Sequence, residues 1–307
     1  MRITQRTLSQ NSLAGINRNL NQLNNLQNQL TSGKRLNQPS DSPTGTNSSL
    51  QIRGALAANT QYAANMSDGK TWLDTADSTL QSMISQAQRV RDLTVQAMNS
   101  GAVSNADDQD IAAEVDQLHA SLLGLANTQI EGRPVFGGAT GGSVAYSVTT
   151  DPATGKVTGS SYVGVSSANG VTRRITDSAT VRVDTTGTEA FGTGADDLFS
   201  VVGGISAALT SGTDPTSSLQ TQLSKLDDAI SSMTNALAGV GARSKRIDDA
   251  LQVNSDQTIA LKTQQSTVED VDMPSTIMQL SLQQTGYQAA LSVASQALQP
   301  TLVDFLR

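Results

Sequence analysis

Between residues 219 and 261, apolar side chains recur at alternating steps of four and three residues. A repeat that averages 3.5 residues keeps one narrow apolar seam on a single side of an α-helix. No proline interrupts the stretch, and at about 1.5 Å per residue the predicted helix is roughly 65 Å long. Such a helix requires a partner helix of similar length. The seam comprises Leu219, Leu223, Leu226, Ile230, Met233, Leu237, Val240, Ile247, Leu251 and Leu261, and its polar positions are Ser244, Asn254 and Thr258.

A second seam with the same spacing runs from Trp72 to Asn99. Gly101 is predicted to end this helix, and another helix is predicted to start at Asn105 or Asp107. If the chain doubles back, the two seams can pack against each other as a helical rod. The members of the second seam are Leu73, Ala76, Leu80, Met83, Ala87, Val90, Thr94 and Ala97.

Both chain ends carry apolar stripes on predicted helices, one over residues 3–35 and one from Ser275 to residue 307. The first helix is rich in asparagine, which is a weak helix former. Two helices alone bury too little apolar surface to be stable, so we expect copies of the molecule to bury each other's ends. The predicted assembly interface consists of Leu13, Ile16, Leu20, Leu23, Leu30, Ile277, Leu280, Leu291, Leu298, Leu302 and Phe305.

Two breaks separate these end helices from the rod. Between Asn37 and Gly45, two prolines among small polar residues predict a turn-rich segment, after which helix is predicted from near Ser48 to about Ser67. The second break is the acidic segment before Pro274, because proline disfavours helical geometry in the residue that precedes it.

The pattern changes between Gly137 and Gly212, where glycine, serine, threonine and valine alternate over short stretches. The dipeptide Asn169-Gly170 is a hairpin signal, and a short helix is predicted over 195–209. Candidate strands lie at 144–148, 162–165, 171–175 and 181–183.

The predicted fold class is therefore mainly α: a long heptad-repeat helical rod built from both chain ends, with an inserted small β-rich domain. We assign the terminal coiled-coil assembly helices to residues 1–37 and 268–307. The rod is assigned to 38–137 and 215–267, and the insert to 138–214.

Composition narrows the range of functions that the chain could have. Apolar residues make up 37% of the chain and aromatic residues only 3%, which is typical of helical rods. A net charge of −7 disfavours nucleic-acid binding, which needs a clustered positive surface. The chain has no cysteine, and its one histidine, His119, rules out a histidine metal cluster. We expect His119 to be a surface or packing residue, and we expect no cofactor and no metal.

No catalytic constellation emerges from the remaining residues. Acidic doublets occur at 107–108, 196–197, 227–228 and 248–249, and solvated helix faces or helix starts explain them better than acid–base chemistry. The segment 108–110 lacks the glycine and the closing glutamate of a calcium loop. The glycine-rich run 137–142 lacks the ending of a phosphate loop.

No apolar run approaches the 18 or more residues expected of a transmembrane helix. The N-terminus is basic and has no apolar core, so we expect no cleavable secretory signal. A transit peptide could share this composition, but the heptad pattern of the first helix argues against one.

Two stretches resemble the bacterial flagellin superfamily. Residues 30–43, LTSGKRLNQPSDSP, are similar to its N-terminal signature, and residues 88–97, QRVRDLTVQA, are similar to a run in its rod domain. Flagellins usually read SAKDDAAG where this chain has QPSDSP, and QFNG where it has GRPVFGG. Both departures, together with 268–273 and 302–307, resemble the hook-associated branch of the superfamily. The resemblance covers roughly residues 1–138 and 215–307.

The resemblance implies a structural adaptor rather than an enzyme. In relatives the terminal helices form the inner coiled-coil layer of a tube, the rod packs around them and the insert faces outward. It further implies export through the flagellar type III channel after binding a chaperone. The implied neighbours are hook-associated protein 1, flagellin and copies of the chain in a ring, at an extracellular position between hook and filament.

Three alternatives stay open at the sequence level. The chain could be a flagellin that forms the filament body. Residues 138–215 could house an enzyme or a glycan-binding module, although no convergent acidic or aromatic site is evident there. The third alternative is a type III translocator that uses its amphipathic end helices on membranes. The polar faces of these helices lack the Lys/Arg-rich, Trp-bearing character of interfacial helices.

Overall fold

The computed structural model describes residues 5–99, 105–153, 155–165, 170–211 and 216–297. The predicted mainly helical class with a small β insertion is confirmed. The helices are α1 Gln5–Ser32, α2 Pro43–Asn99, α3 Asn105–Ala126, α4 Gly187–Phe191, α5 Leu198–Thr210, α6 Thr216–Glu269 and α7 Met273–Ala297, with a 3₁₀ turn at Gly194–Asp196. The strands are β1 Gln129–Ile130, β2 Arg133–Pro134, β3 Tyr146–Thr150, β4 Val157–Tyr162, β5 Thr172–Arg174 and β6 Thr180–Arg182.

The chain divides into two compact units. The terminal unit contains the residues up to Ala58 and those from Asp256 onward, and the central unit is Asn59–Ser255. Both long helices, α2 and α6, contribute residues to each unit. The contiguous apolar core runs from Met66 to Ile247 and therefore belongs to the central unit.

Helix α2 is one uninterrupted helix of 57 residues, so the predicted interruption after Ser67 is wrong. Its glycine Gly69 serves close packing, because a Cβ there would lie 2.9 Å from Val183 Cγ1 and 3.3 Å from Ile247 Cδ1. The helix begins at Pro43, earlier than predicted. Proline is well tolerated in the first turn, where its missing N–H has no helical partner to lose.

The structure places the seam residues of α2 and α6 in the interior of the molecule. Leu73, Leu80, Met83 and Val90 of α2 are fully buried. Along α6, buried and half-buried positions of the seam alternate from Leu219 to Thr258, when the polar positions Ser244, Asn254 and Thr258 are counted. The buried set is Leu219, Leu226, Met233, Val240 and Ile247, and the half-buried set is Leu223, Ile230, Leu237, Leu251 and Leu261.

The insert contains two antiparallel hairpins, β3–β4 and β5–β6, while β1–β2 forms a third two-stranded sheet just before it. The predicted hairpin at Asn169-Gly170 is wrong, because β4 and β5 belong to different sheets. Gly170 has a φ of +61° and packs closely on the β6 end. A Cβ there would lie 2.3 Å from Arg182 Nε and 2.5 Å from Asp184 Oδ1. A side chain at this position would collide with Arg182 and Asp184, which explains the glycine.

Aromatic rings gather at the base of the insert. Tyr146 contacts Phe191 and Phe199 with ring centroids 6.0 and 4.7 Å apart, and Phe136 lies 5.0 Å from Phe191. His119 of α3 stacks on Phe199 at 6.5 Å. His119 is therefore a packing residue, and its burial lowers the pKa of its imidazole.

A charged network fastens the insert to α6. Arg182 of β6 donates to Asp184 at 2.7 Å and makes two 2.8 Å hydrogen bonds to Glu189. Glu189 also closes the capping box of α4 with Thr186. Arg243 of α6 donates from Nη1 to the backbone oxygen of Asp184 at 2.6 Å. The insert is thus held by charge-assisted hydrogen bonds as well as by aromatic packing.

Candidate assembly site at the chain ends

Helices α1 and α7 lie side by side in antiparallel directions within the terminal unit. Gln283 Nε2 of α7 donates to Asn19 Oδ1 of α1 at 3.1 Å. Leu26 of α1 and Ala294 of α7 are buried, and neither belongs to the contiguous core. The described part of this pair thus buries few apolar side chains, so little hydrophobic free energy stabilises it.

The predicted interface residues divide into three groups. Four of them are exposed: Leu13, Leu20, Ile277 and Leu291. Another four are half-buried: Ile16, Leu23, Leu30 and Leu280. The remaining three, Leu298, Leu302 and Phe305, lie outside the described residues.

The exposed members share one side of the helix pair. Successive residues of an α-helix are turned by about 100°, so Leu13 and Leu20 lie roughly a quarter to a third of a turn around α1 from Asn19 and Leu26, which point at α7. Ile277 and Leu291 lie a similar angle, in the same sense, around α7 from its contact with α1. Because the helices are antiparallel, equal rotations bring both sets to the same side. We call this the shared face: Leu13, Ile16, Leu20, Leu23, Ile277 and Leu291.

The residues just after α1 meet the acidic segment before α7 at one end of this pair. Lys34 and Asp270 form an isolated antiparallel β-bridge. The Arg35 amide donates to the Glu269 carbonyl at 2.6 Å, and the Val271 amide donates to the carbonyl of Gly33 at 3.1 Å. Gly33, with a φ of +68°, ends α1 in the left-handed conformation that glycine adopts without strain. The turn after α1 and the turn before α7 are therefore hydrogen-bonded to each other.

A buried carboxylate lies at the centre of this junction. The Glu269 side chain is 2% exposed and accepts hydrogen bonds from Arg53 Nε at 2.9 Å, Ser49 Oγ at 2.6 Å, Lys34 Nζ at 3.0 Å and Gln265 Nε2 at 3.1 Å. The hydrogen bond from Arg53, supported by those from Ser49, Lys34 and Gln265, holds the pKa of Glu269 well below its ordinary value. All of these groups belong to the terminal unit.

Sequence reasoning missed the Glu269 cluster. Lys34 and Glu269 lie in two of the motifs that carry the resemblance, 30–43 and 268–273, but they are separated by 235 residues and no spacing rule connects them. The other end of the first motif is organised locally, because Asp41 accepts hydrogen bonds from the amides of Asn37 and Gln38 at 3.0 and 2.8 Å. The two motifs thus build one junction.

Residues of the acidic doublets lie at helix N-termini or form ion pairs. Asp107 and Asp108 lie in the first turn of α3, and Asp197 caps α5 through the amide of Ser200. Asp227 pairs with Arg91 at 2.7 Å. Across the described ranges, no group of three or more His, Cys, Asp or Glu residues could hold a metal ion. Within those same ranges, no helix combines the length and the apolar character that crossing a membrane requires.

Comparison with known families gives two matches that flank the insert. The family described as "Bacterial flagellin N-terminal helical region" matches residues 3–140. The family described as "Bacterial flagellin C-terminal helical region" matches residues 223–306. The matched segments include α1, α7 and both sides of the Glu269 junction.

Individual relatives span nearly the whole chain. A flagellin of Listeria monocytogenes is 28% identical over 303 residues, covering 97% of this chain and 96% of the relative. Flagellar hook-associated protein 3 of Escherichia coli is 25% identical over 312 residues, covering 94% and 95%. The crystal structure of Bacillus cereus FlgL superposes with a TM-score of 0.57 at 25% identity, covering 70% of this chain and 99% of that one.

Proposed function

We propose that this chain, which belongs to the bacterial flagellin family, is a structural adaptor that joins hook-associated protein 1 to the flagellin filament. The observation that carries the proposal is the shared face. Its leucines and isoleucines remain exposed or half-buried in a single copy, although the helices that bear them are paired. Apolar stripes of this kind on a soluble component indicate a surface that is covered on assembly.

The choice of an adaptor over a filament subunit rests on sequence features and relatives. Residues 38–43 and 132–138 depart from the usual flagellin motifs toward the hook-associated branch. The similarity to hook-associated protein 3 of Escherichia coli and to Bacillus cereus FlgL supports the same choice. Arg133 lies 5.9 Å over the Trp72 ring, and Val135 and Phe136 after it are buried, so the second motif belongs to the packed base of the insert.

The proposed role assigns each segment a place. Residues 1–37 and 268–307 pack with the ends of neighbouring copies, and residues 38–137 and 215–267 form the rod around them. The insert, 138–214, faces outward. The proposed partners are hook-associated protein 1 on the hook side, flagellin on the filament side, further copies in a ring, and a chaperone before type III export. The chain then acts outside the cell at the hook–filament junction, as a structural protein and not as an enzyme.

A flagellin that builds the filament body is the second candidate. The 28% identity to the Listeria flagellin over 97% of the chain favours it. The two roles differ in copy number and in position along the flagellum. A filament subunit dominates a preparation of sheared filaments, whereas an adaptor is a trace component at one end.

Immunogold labelling of intact flagella tests the proposal directly. We expect label at a single position next to the hook, and a faint band for the protein in sheared filaments. An antibody against the bulk filament protein of the same strain serves as the control for access along the filament. Label distributed along the filament would establish the second candidate instead.

A further inference from the structure

Helix α7 carries a second apolar stripe on the side that faces away from the shared face. Met278, Leu282 and Val293 are 71%, 75% and 65% exposed, and Ala289 lies among them on the same side. At about 100° per residue, this stripe is centred roughly 150° around α7 from Ile277 and Leu291. We call it the outer face: Met278, Leu282, Ala289 and Val293. None of its members was part of the interface predicted from sequence.

The character of α7 differs from that of an ordinary surface helix. An amphipathic surface helix has one apolar stripe and a polar opposite side, whereas a helix that is apolar on several sides is covered on several sides. On α7, one side packs on α1, and two further sides carry exposed Ile277, Leu291 and the outer face. By contrast, the side of α1 remote from α7 carries the exposed asparagines Asn17, Asn21 and Asn28.

The charge pattern of the two end helices indicates which kind of surface can cover the outer face. No charged residue occurs in residues 273–303, and Arg18 is the only charged residue in 7–33. A charged partner surface would lose hydration on this stripe without gaining a counter-charge, which is unfavourable. The shared face itself contains no charged residue, so the shared face of a second copy can meet the outer face without burying a charge of its own.

We propose that the outer face of one copy packs on the shared face of the next copy; this inference rests on the proposed function and names the contact through which copies associate. Because the two faces consist of different residues, the contact is heterologous. Heterologous contacts do not stop at a two-fold dimer but continue into a ring or a helical row. The two faces point in nearly opposite directions, so each added copy presents a free outer face or a free shared face to the next.

Site-directed cysteine cross-linking tests this pairing of faces. The chain has no native cysteine, so only its introduced cysteines can react. One set of full-length variants carries Leu13→Cys or Leu20→Cys on the shared face. The other carries Met278→Cys, Leu282→Cys or Val293→Cys on the outer face. Each variant is produced alone or together with one from the other set in a strain lacking the wild-type chain, and isolated flagella are treated with a short bis-maleimide.

We expect cross-linked dimers from at least one combination of a shared-face and an outer-face cysteine, at a yield several-fold above that of either variant alone. Asn21→Cys, on the polar side of α1, replaces the shared-face variant in the matched control and should give no such increase. Sampling each face at several positions allows for an axial offset between copies. Swimming of each strain confirms that its variants are incorporated.

Efficient cross-linking of an outer-face variant produced alone would overturn the proposal, because it would mean that identical faces meet. Yields from all mixed pairs no higher than that of the Asn21→Cys control would overturn it as well. Failure of the proposed function can be distinguished from failure of the face pairing. Label along the whole filament rejects the adaptor role, while the cross-links report face pairing wherever the protein is located.

Discussion

At the scale of single residues, Glu269 connects segments from both ends of the chain. Its buried carboxylate satisfies donors from the break after α1, from the first turns of α2 and from α6 itself. Hydrogen bonds to a charged group are stronger than those between neutral groups. A buried carboxylate is also tolerated only when it is paired in this way.

Replacing Glu269 with Gln should loosen the junction without unfolding the central unit. The neutral amide keeps the shape of the side chain but loses the ionic hydrogen bonds with Lys34 and Arg53. We expect a local loss of about 1–3 kcal/mol. The measurement is hydrogen exchange of the amides of Arg35 and Val271, which bond across the junction and should exchange faster in the variant.

Asp270→Asn is the matched control, because Asp270 is exposed and its ion pair is with the half-exposed Lys34. Its effect should stay below about 1 kcal/mol. The pKa of Glu269 is lower in the folded chain than its ordinary 4.5, so its stabilisation is present above pH 4.5 and is lost as the pH falls toward the folded pKa. Equal exchange rates in E269Q and wild type would show that the carboxylate does not hold the junction.

His119 provides a second prediction at this scale. Burial lowers its pKa below the ordinary 6.5, although Asp116 and Asp197 act in the opposite direction. The unfolded chain therefore takes up a proton first, and the central unit should lose stability as the pH falls below 6.5. Denaturant unfolding of wild type and His119→Gln between pH 7.5 and 5 should give a smaller pH dependence in the variant. An unchanged pH dependence would mean that His119 takes up its proton equally readily in the folded and the unfolded chain.

At the scale of elements, the same heptad spacing leads to two outcomes. The seams of α2 and α6 in the central unit are buried or half-buried, because each helix finds apolar surface within the chain. The stripes of α1 and α7 have the same spacing, yet four of the predicted positions stay exposed. Spacing determines which side of a helix is apolar, but the number of partner helices decides whether that side is covered.

A pair of leucine substitutions separates these outcomes. Leu80→Ala, in the buried seam of α2, should lower the free energy of unfolding by about 2–5 kcal/mol. Leu20→Ala, on the shared face, should change it by no more than about 0.5 kcal/mol, because Leu20 is exposed in one copy. Both values come from denaturant unfolding of the purified monomer. A large loss for Leu20→Ala would mean that the monomer already covers the shared face.

At the scale of the whole molecule, the apolar core and the proposed assembly surface lie in different parts of the chain. The contiguous apolar core belongs to the central unit, and among the described residues most of the large exposed apolar side chains belong to the terminal unit. A molecule organised in this way can fold before it assembles. The free energy of association then comes from apolar surface that folding leaves in water.

Deleting the last 30 residues should leave the central unit folded and remove the ability to join flagella. The deletion removes the outer face, Leu291 and most of α7. We expect wild-type near-ultraviolet circular dichroism from the central aromatic cluster, together with loss of swimming in a strain that carries only the truncated chain. Restored swimming would contradict the proposed role of the C-terminal helix.

Matched controls exclude trivial explanations for the loss of swimming. Removing Asp151–Ala153 at the tip of the β3–β4 turn should shorten the insert and leave swimming intact, because the turn lies outside the terminal unit. Secreted protein in the culture medium must be measured for both strains. A truncated chain that is secreted but not incorporated fits the prediction, whereas one retained in the cell would point to a defect in export.

The sequence by itself determined the long helix α6, the breaks beside the two end helices, the β-rich insert and the family, since each depends on residues close together in the chain. Tertiary structure alone decided that the Glu269 junction forms, that Gly69 and Gly170 serve close packing, and that α7 has a second exposed stripe. These features depend on which distant segments meet and how much surface they cover, and local periodicity carries no information about either.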